Sequence, residues 1–129
     1  MISLDVTKRG IGVNFANEEA KIIVWAPYAD KVELSLREKT QKICLNKADY
    51  GYWEGTSKDV TPGTHYKFLL NGEKERPDPA SFSQPNGVHN YSKAIDLKDF
   101  KWTDQNWRNL PLEDYIFYEL HTGTFTPEG

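Results

Sequence analysis

The segment Lys31–Arg37 reads KVELSLR and decides the fold class of this chain. Its three apolar residues alternate with charged or polar residues, which is the two-residue period of a β-strand with one face in a core and the other in water. Upstream, Ala20–Ala26 reads AKIIVWA, is rich in β-branched and aromatic residues, and is followed by Pro27. Because proline cannot donate to a strand ladder, this pattern predicts a central strand that ends before Pro27.

Four further short segments continue the strand pattern toward the C-terminus: Gln41–Asn46 (QKICLN), Tyr50–Gly55 (YGYWEG), Thr64–Leu70 (THYKFLL) and Ala94–Leu97 (AIDL). The dipeptide Asn71-Gly72 suits a type I′ turn, so the chain is expected to return antiparallel from Glu73. No segment shows a helical period over ten or more residues. We therefore expect an all-β fold, an immunoglobulin-like (E-set) β-sandwich.

Proline-rich and polar stretches mark the predicted domain boundaries. Arg76–Gln84 reads RPDPASFSQ and is expected to form an extended, well-fixed loop. Composition turns polar at residues 98–111, which we interpret as a linker between a sandwich over residues 1–97 and the start of a second domain over residues 112–129. In that last segment the apolar run Tyr115–Tyr118 is expected to form a strand.

Length, charge and cysteine content exclude several classes of protein. A chain of 129 residues fits one domain and is far shorter than the roughly 250 residues of a complete (β/α)₈ barrel. Sixteen Lys and Arg against nineteen Asp and Glu give a net charge of −3, so nucleic acid is not an expected partner. One cysteine allows no intrachain disulfide, and no apolar run fits a signal peptide or a membrane span. We therefore expect a soluble cytoplasmic protein with no membrane partner.

Local motifs for catalysis and cofactor binding are not found. The sequence has no GxSxG, no Gly-rich phosphate loop, no HExxH and no EF-hand loop. Its three histidines, His65, His89 and His121, are far apart in sequence and suit hydrogen-bonded or surface roles. Glycoside hydrolysis needs two carboxyl groups about 5 to 10 Å apart, which a sequence alone leaves open. We assign no catalytic residue, no metal ligand and no cofactor.

The aromatic content suggests carbohydrate binding. Seventeen aromatic residues make up 13% of the chain, and flat rings beside hydrogen-bonding side chains can hold a sugar. Trp53, Lys67 and Asn90 are the candidate carbohydrate-binding residues. The alternative is that Trp53 fills the core or a strand edge, Lys67 is a solvated charge on the outer face, and Asn90 shapes a turn.

Several motifs resemble those of a known family. The N-terminal immunoglobulin-like domain of α-amylase superfamily glucan enzymes is similar in the order of these motifs: Gly12-x-x-Phe15, Val24-Trp25-Ala26-Pro27, Val32-x-Leu34, Gly51-x-Trp53, Pro62-Gly63-x-x-Tyr66 and Asp78-Pro79. The malto-oligosyltrehalose trehalohydrolase family resembles the chain more specifically in three segments: Asp78-Pro79-Ala80-Ser81, Gln84-Pro85-x-Gly87-Val88-His89 and Tyr118–Gly129.

This resemblance implies an accessory N-terminal domain of a glycoside hydrolase that releases trehalose from maltooligosyl trehalose. Residues 112–129 would then hold the first strand of a truncated (β/α)₈ barrel, and the catalytic carboxylates would lie on later strands. Expected partners are an α-glucan or maltooligosyl trehalose, through the parent enzyme, and the barrel of the same polypeptide. The alternatives are the N-terminal domain of a 1,4-α-glucan (glycogen) branching enzyme and, in another class, a stand-alone glycogen-binding or regulatory module.

A second resemblance concerns sugar binding. Glycogen-binding modules of the AMP-activated kinase β-subunit type carry two exposed Trp, a Lys on a strand and an Asn, and here Lys67 and Asn90 match the last two. The Trp expected just after the Asn71-Gly72 turn is replaced by Glu73-Lys74. The resemblance therefore implies weak glycogen binding by this chain alone.

Overall fold

Antiparallel strands dominate the computed structural model, which describes residues 10–128. Predictions that fall on residues 1–9 and on Gly129 lie outside the described residues. The chain divides after Asp99 into a first unit that holds all the strands of the described residues and a second unit that begins at Phe100. In chain order the strands are β1 (Gly12–Ala16), β2 (Glu19–Trp25), β3 (Val32–Leu36), β4 (Lys42–Cys44), β5 (Asn46–Lys47), β6 (Tyr52–Ser57), β7 (His65–Leu70), β8 (Lys74–Arg76) and β9 (Ser92–Lys93).

Two antiparallel sheets form a sandwich, as the alternation of KVELSLR predicted. One sheet has the order β1-β2-β6-β5, so β2 is a central strand as expected. The other has the order β4-β3-β7-β8, with β9 also paired to β7. Side chains from both inner faces fill the core between the sheets, and its buried members include Ile22, Val24, Val32, Leu34, Trp53, Tyr66 and Phe68.

The predicted strand Gln41–Asn46 is in fact two strands that belong to different sheets. β4 pairs with β3, whereas β5 pairs with β6. Leu45 lies between them, is buried, and donates its N–H to the carbonyl of Val32. The chain therefore crosses from one sheet to the other at Leu45, a change that the local apolar pattern does not reveal.

The predicted strand Tyr50–Gly55 starts two residues later than expected. Asp49–Gly51 forms a 3₁₀ turn instead, in which Tyr50 has a φ of 58° and Gly51 a φ of 82°. A side chain on Gly51 would place its Cβ only 2.6 Å from the Cβ of Pro27. This glycine therefore permits the close approach of the turn to the chain just after β2.

The outer face of β3 is covered, although the alternation predicted that it would be wet. Glu33 and Ser35 point outward but are only 7% and 9% exposed. Neighbouring side chains cover them, since Lys31 Nζ lies 3.0 Å from Glu33 Oε1 and Ser35 Oγ lies 3.2 Å from Glu75 Oε1. The hydrogen bond from Lys31 holds the pKa of Glu33 below its usual range despite partial desolvation.

The hairpin at Asn71-Gly72 forms as predicted. Both residues have positive φ, 53° and 74°, as a type I′ turn requires, and β8 returns antiparallel to β7. The Asn71 side chain also accepts hydrogen bonds from the N–H groups of Asp30 and Lys31, at 2.9 and 3.1 Å. The hairpin tip is therefore tied to the segment that leads into β3.

The C-terminal side of the first unit differs from expectation. The predicted strand Ala94–Leu97 is replaced by the two-residue strand Ser92–Lys93 and a 3₁₀ turn at Leu97–Asp99. The N–H of Ala94 still bonds to the carbonyl of Thr64 at 2.9 Å, so this segment stays against the chain before β7.

The second unit contains only short helical turns within its described residues. These are a 3₁₀ turn at Leu112–Asp114 and one α-helical turn at Thr122–Phe125. The expected strand Tyr115–Tyr118 does not form in the described chain, because no neighbouring strand pairs with it. Within this run the rings of Tyr115 and Phe117 stack with their centroids 5.7 Å apart, while the side chain of Ile116 between them is 97% exposed. No helix within residues 10–128 has the length and apolar character needed to cross a membrane.

Candidate carbohydrate-binding face

The outer face of the sheet β4-β3-β7-β8 carries two of the three predicted site residues. Lys67 is on β7 between the buried residues Tyr66 and Phe68, so its side chain points away from the core. In the strand register Lys67 lies opposite Ser35 of β3. Strand alternation therefore presents this ammonium group on the outer surface of the sheet.

Tyr91 joins Lys67 to the loop that carries Asn90. The ammonium of Lys67 lies 4.8 Å from the centroid of the Tyr91 ring, and the guanidinium carbon of Arg37 lies 5.8 Å from it. Both distances fit cation–π contacts. The sequence analysis missed Tyr91, although its position directly after Asn90 was a signal that could have identified it.

Asn90 is exposed and orients its own loop. Its side-chain oxygen accepts a hydrogen bond from the N–H of Tyr91 at 2.8 Å, and its backbone N–H donates to Gly87. The side-chain amide N–H groups point to no described partner and are available to a sugar hydroxyl. The structure therefore combines the turn-shaping role with a free donor at Asn90, beside the ring that contacts Lys67.

Trp53 is not part of this face, which corrects the expectation that it could be a sugar platform. It belongs to β6 in the other sheet, is 5% exposed, and packs in the core. Its Nε1–H donates to the carbonyl of Ala26 at 3.1 Å, and the ammonium of Lys47 lies 5.6 Å from its ring centroid. A ring with this little exposed surface cannot stack on a sugar.

A buried hydrogen-bond network fixes the loop between β8 and β9. Asp78 is 1% exposed; it accepts from the Tyr66 hydroxyl at 2.7 Å and from the N–H of Ala80 at 2.8 Å. The N–H of Asp78 donates to Ser92 Oγ at 2.9 Å. Gly12 packs against this network, since a Cβ there would lie 3.3 Å from Asp78 Oδ2.

Burial changes the acidity of both polar partners in this network. Desolvation raises the pKa of Asp78, although the hydrogen bonds from Tyr66 and Ala80 partly offset it. Burial also raises the pKa of the Tyr66 hydroxyl, and the nearby charge of Asp78 adds to this effect. The pair is therefore a structural anchor whose hydroxyl stays protonated, and both residues are almost completely buried.

The described residues lack the ligand cluster that a metal site requires. No group of three or more His, Cys, Asp or Glu residues is arranged to hold a metal ion there. The two sheets, with polar and aromatic side chains on one outer face, define a β-sandwich of the immunoglobulin-like class.

The family follows from the sequence match. The chain belongs to the family carbohydrate-binding module 48 (isoamylase N-terminal domain), whose model matches residues 10–86. This match confirms the predicted resemblance to the N-terminal domains of α-amylase superfamily enzymes and, with the two observed sheets, the predicted immunoglobulin-like fold.

Relatives that match most of the chain are longer enzymes. The malto-oligosyltrehalose trehalohydrolase of Saccharolobus solfataricus is 44% identical over 106 residues, which cover 82% of this chain and 18% of that protein. The 1,4-α-glucan branching enzyme of Vibrio parahaemolyticus is 28% identical, over 84% of this chain and 16% of that protein. A crystal structure of a candidate α-amylase from Salmonella typhimurium superimposes with a TM-score of 0.80 at 33% identity, over 92% of this chain and 20% of that one.

The chain thus spans about a fifth of the length of the curated relatives that it matches. These matches include the trehalohydrolases that the three downstream motifs pointed to, as well as the branching enzymes that the sequence analysis kept as an alternative.

Proposed function

We propose that this chain is the N-terminal glucan-recognition module of a glycoside hydrolase that releases trehalose from maltooligosyl trehalose. The observation that carries the proposal is the 44% identity to a trehalohydrolase over 82% of the chain, against 28% to a branching enzyme over a similar share. The chemistry is assigned to a catalytic barrel in the same polypeptide. This module is its intramolecular partner.

Within this proposal the described chain contributes binding and positioning. Glycoside hydrolysis requires two carboxyl groups on opposite sides of one bond. The buried acid Asp78 is committed to Tyr66 and Ala80, and Glu33 is paired with Lys31, so neither is free for that role. The single cysteine, Cys44, is compatible with the cytoplasmic location that we include in the proposal.

The full-length protein that contains this chain tests the proposed reaction. Incubated with maltooligosyl trehalose, it is expected to release free trehalose together with a maltooligosaccharide. Incubated with linear amylose, it is expected to introduce no α-1,6 branches. Branch formation without trehalose release would overturn the proposal in favour of a branching enzyme, and neither activity would favour a stand-alone glycogen-binding or regulatory module.

The outer surface around Lys67, Asn90 and Tyr91, called the Lys67 face below, is expected to bind glycogen only weakly. Tyr91 already has two cations against its ring, and Glu73 and Lys74 follow the hairpin where a second stacking ring is expected. Without stacking rings, hydroxyl hydrogen bonds alone give a dissociation constant of about 1 mM. Lys67→Ala is expected to weaken binding about threefold, as measured by affinity electrophoresis of the chain in gels that contain glycogen.

Lys21→Ala is the matched control for this face, because Lys21 is exposed on β2 in the other sheet. It is expected to migrate like the wild type. A micromolar dissociation constant that is lost in Lys67→Ala would contradict the weak-binding prediction and would make the Lys67 face the principal glucan site.

A further inference from the structure

A hollow beside Trp25 is lined by residues of both sheets and does not include Lys67. Its volume is about 500 Å³, within the range of small-molecule sites. The floor is apolar and includes Val24, Phe68 and Leu70, and the rim carries the polar side chains of Arg76, Gln84 and His89.

The ring of Trp25 is exposed but held in place. It is 57% exposed, in contrast to Trp53, and it lies at the end of β2. Its Nε1–H donates to the carbonyl of Tyr50 at 3.0 Å. The 3₁₀ turn that carries this carbonyl packs closely on Pro27, which only the glycine at position 51 permits. An aromatic platform fixed in this way loses little conformational entropy when a ligand stacks on it.

A second wall of the hollow is also held in place. It is formed by Arg76 and the Pro77-Asp78-Pro79 segment. Both prolines restrict the backbone, and Asp78 is fixed by its hydrogen bonds to Tyr66, Ala80 and Ser92. The buried network therefore has a consequence at the surface, because it fixes a part of the lining of the hollow that also contains Trp25.

The polar side chains on the rim are free to bind. Arg76 uses Nη1 to donate to the carbonyl of Glu75 at 3.0 Å, which leaves its other N–H groups available. The side chains of Gln84 and His89 make no hydrogen bond to another described residue. Planar side chains of this kind, beside an aromatic ring and above an apolar floor, suit a ligand with apolar faces and a hydroxyl rim.

A second hollow of about 350 Å³ adjoins the first and shares Trp25, Ala26 and Leu70 with it. Tyr28, a further exposed aromatic residue, lines this second hollow. The concave surface therefore continues past Trp25 and is longer than a single sugar unit requires.

We propose that this surface, the Trp25 groove, binds a stretch of α-1,4-linked glucan, with one sugar ring against Trp25 and hydroxyl groups on Arg76, Gln84 and His89. The proposal rests on the proposed function, which supplies the class of sugar. It adds a site whose lining does not include Lys67 and in which residues of both sheets meet, with Val24 and Trp25 from β2 and Phe68 and Leu70 from β7. Neutral maltooligosaccharides are the expected ligands, because the groove offers one aromatic platform and uncharged or singly charged donors rather than a cluster of cations.

Titration of the ¹⁵N-labelled chain with maltoheptaose tests this site directly. The indole N–H signal of Trp25, identified by its loss in Trp25→Phe, is expected to shift in a saturable way, whereas the signal of the buried Trp53 stays in place. Arg76→Ala and His89→Ala change exposed side chains outside the core and are each expected to weaken this isotherm at least threefold. Trp25→Ala, followed through the backbone signals of Arg76 and His89, is expected to weaken it at least tenfold.

Lys67→Ala is the matched control and is expected to leave the Trp25 isotherm unchanged. No shift of the Trp25 signal at about 10 mM maltoheptaose, or an equal loss in Lys67→Ala, would overturn the proposal. The two proposals fail separately. A full-length protein that releases no trehalose would leave a Trp25 shift intact, and trehalose release with an unmoved Trp25 signal would remove only the groove.

Discussion

Replacing Asp78 by alanine is expected to lower the free energy of unfolding by about 2 to 4 kcal/mol, because it leaves the buried Tyr66 hydroxyl and the N–H of Ala80 without acceptors. Each unpaired buried donor costs about 1 to 3 kcal/mol, and the loop between β8 and β9 loses its anchor as well. Urea unfolding followed by tryptophan fluorescence measures the change. The loss should also weaken sugar binding in the Trp25 groove, whose wall Asp78 holds.

Asp30→Ala is the control for this prediction. Asp30 is exposed, and its carboxylate bonds to no described residue, so its removal is expected to change stability by less than about 0.5 kcal/mol. Equal effects of the two substitutions would contradict the assignment of Asp78 as the anchor.

The pH dependence of the same anchor has a definite sign. Burial raises the pKa of Asp78 above its ordinary value of 3.8, so the folded protein holds a proton there more tightly than the unfolded chain does. The stability contributed by that proton is present below pH 3.8 and is lost as the pH rises through the raised pKa. Asp78→Asn removes this titration. The stability of the wild type relative to this variant is therefore expected to be higher at acid than at neutral pH.

Replacing Trp53 by alanine is expected to destabilise the fold by about 3 to 5 kcal/mol, the usual cost of removing a large aromatic side chain from a core. Trp53 packs between the sheets and donates a hydrogen bond to the carbonyl of Ala26, so the substitution leaves a cavity and removes this bond, while the N–H of Ala29 still donates to the same carbonyl. Thermal and urea unfolding of the purified variant measure the loss.

Trp25→Ala provides the matched comparison, since it removes the same side chain from a largely exposed position. Its expected cost is about 1 kcal/mol, from the lost hydrogen bond to Tyr50 and partial packing. If Trp53→Ala and Trp25→Ala proved equally stable, the division into a core tryptophan and a surface tryptophan would be wrong.

The sequence alone does not show which of these two tryptophans faces the core. In the register of β2 and β6, Val24 lies opposite Trp53 and Trp25 lies opposite Tyr52. Trp53 therefore shares the inward face with Val24, and Trp25 faces outward. The alternation rule holds on each strand, but the register that links the two strands is a tertiary property that a local pattern does not contain.

Local patterns were sufficient where neighbouring residues decide the structure. The strand around Lys67, its outward direction and the Asn71-Gly72 hairpin all follow from alternation and turn chemistry. They were insufficient where distant segments meet. Ser35 is covered by Glu75, forty residues away, and Asp78 binds Tyr66 and Ser92, twelve and fourteen residues away.

The same limit applies to Tyr115–Tyr118. An apolar run identifies a segment that favours the strand conformation, but a strand forms only when a neighbour completes its hydrogen bonds. The described residues provide no such neighbour, and the resemblance to a barrel strand stays a prediction about the longer polypeptide.

We propose that this chain contributes recognition and that the rest of its polypeptide cleaves the bond, and a side-by-side assay tests this division most directly. Equal molar amounts of the full-length protein and of the 129-residue chain are incubated with maltooligosyl trehalose, and free trehalose is quantified over time. The predicted result is trehalose from the full-length protein and none from the chain. Measurable trehalose release by the purified chain would contradict the account, because it would place a catalytic acid and base within these residues.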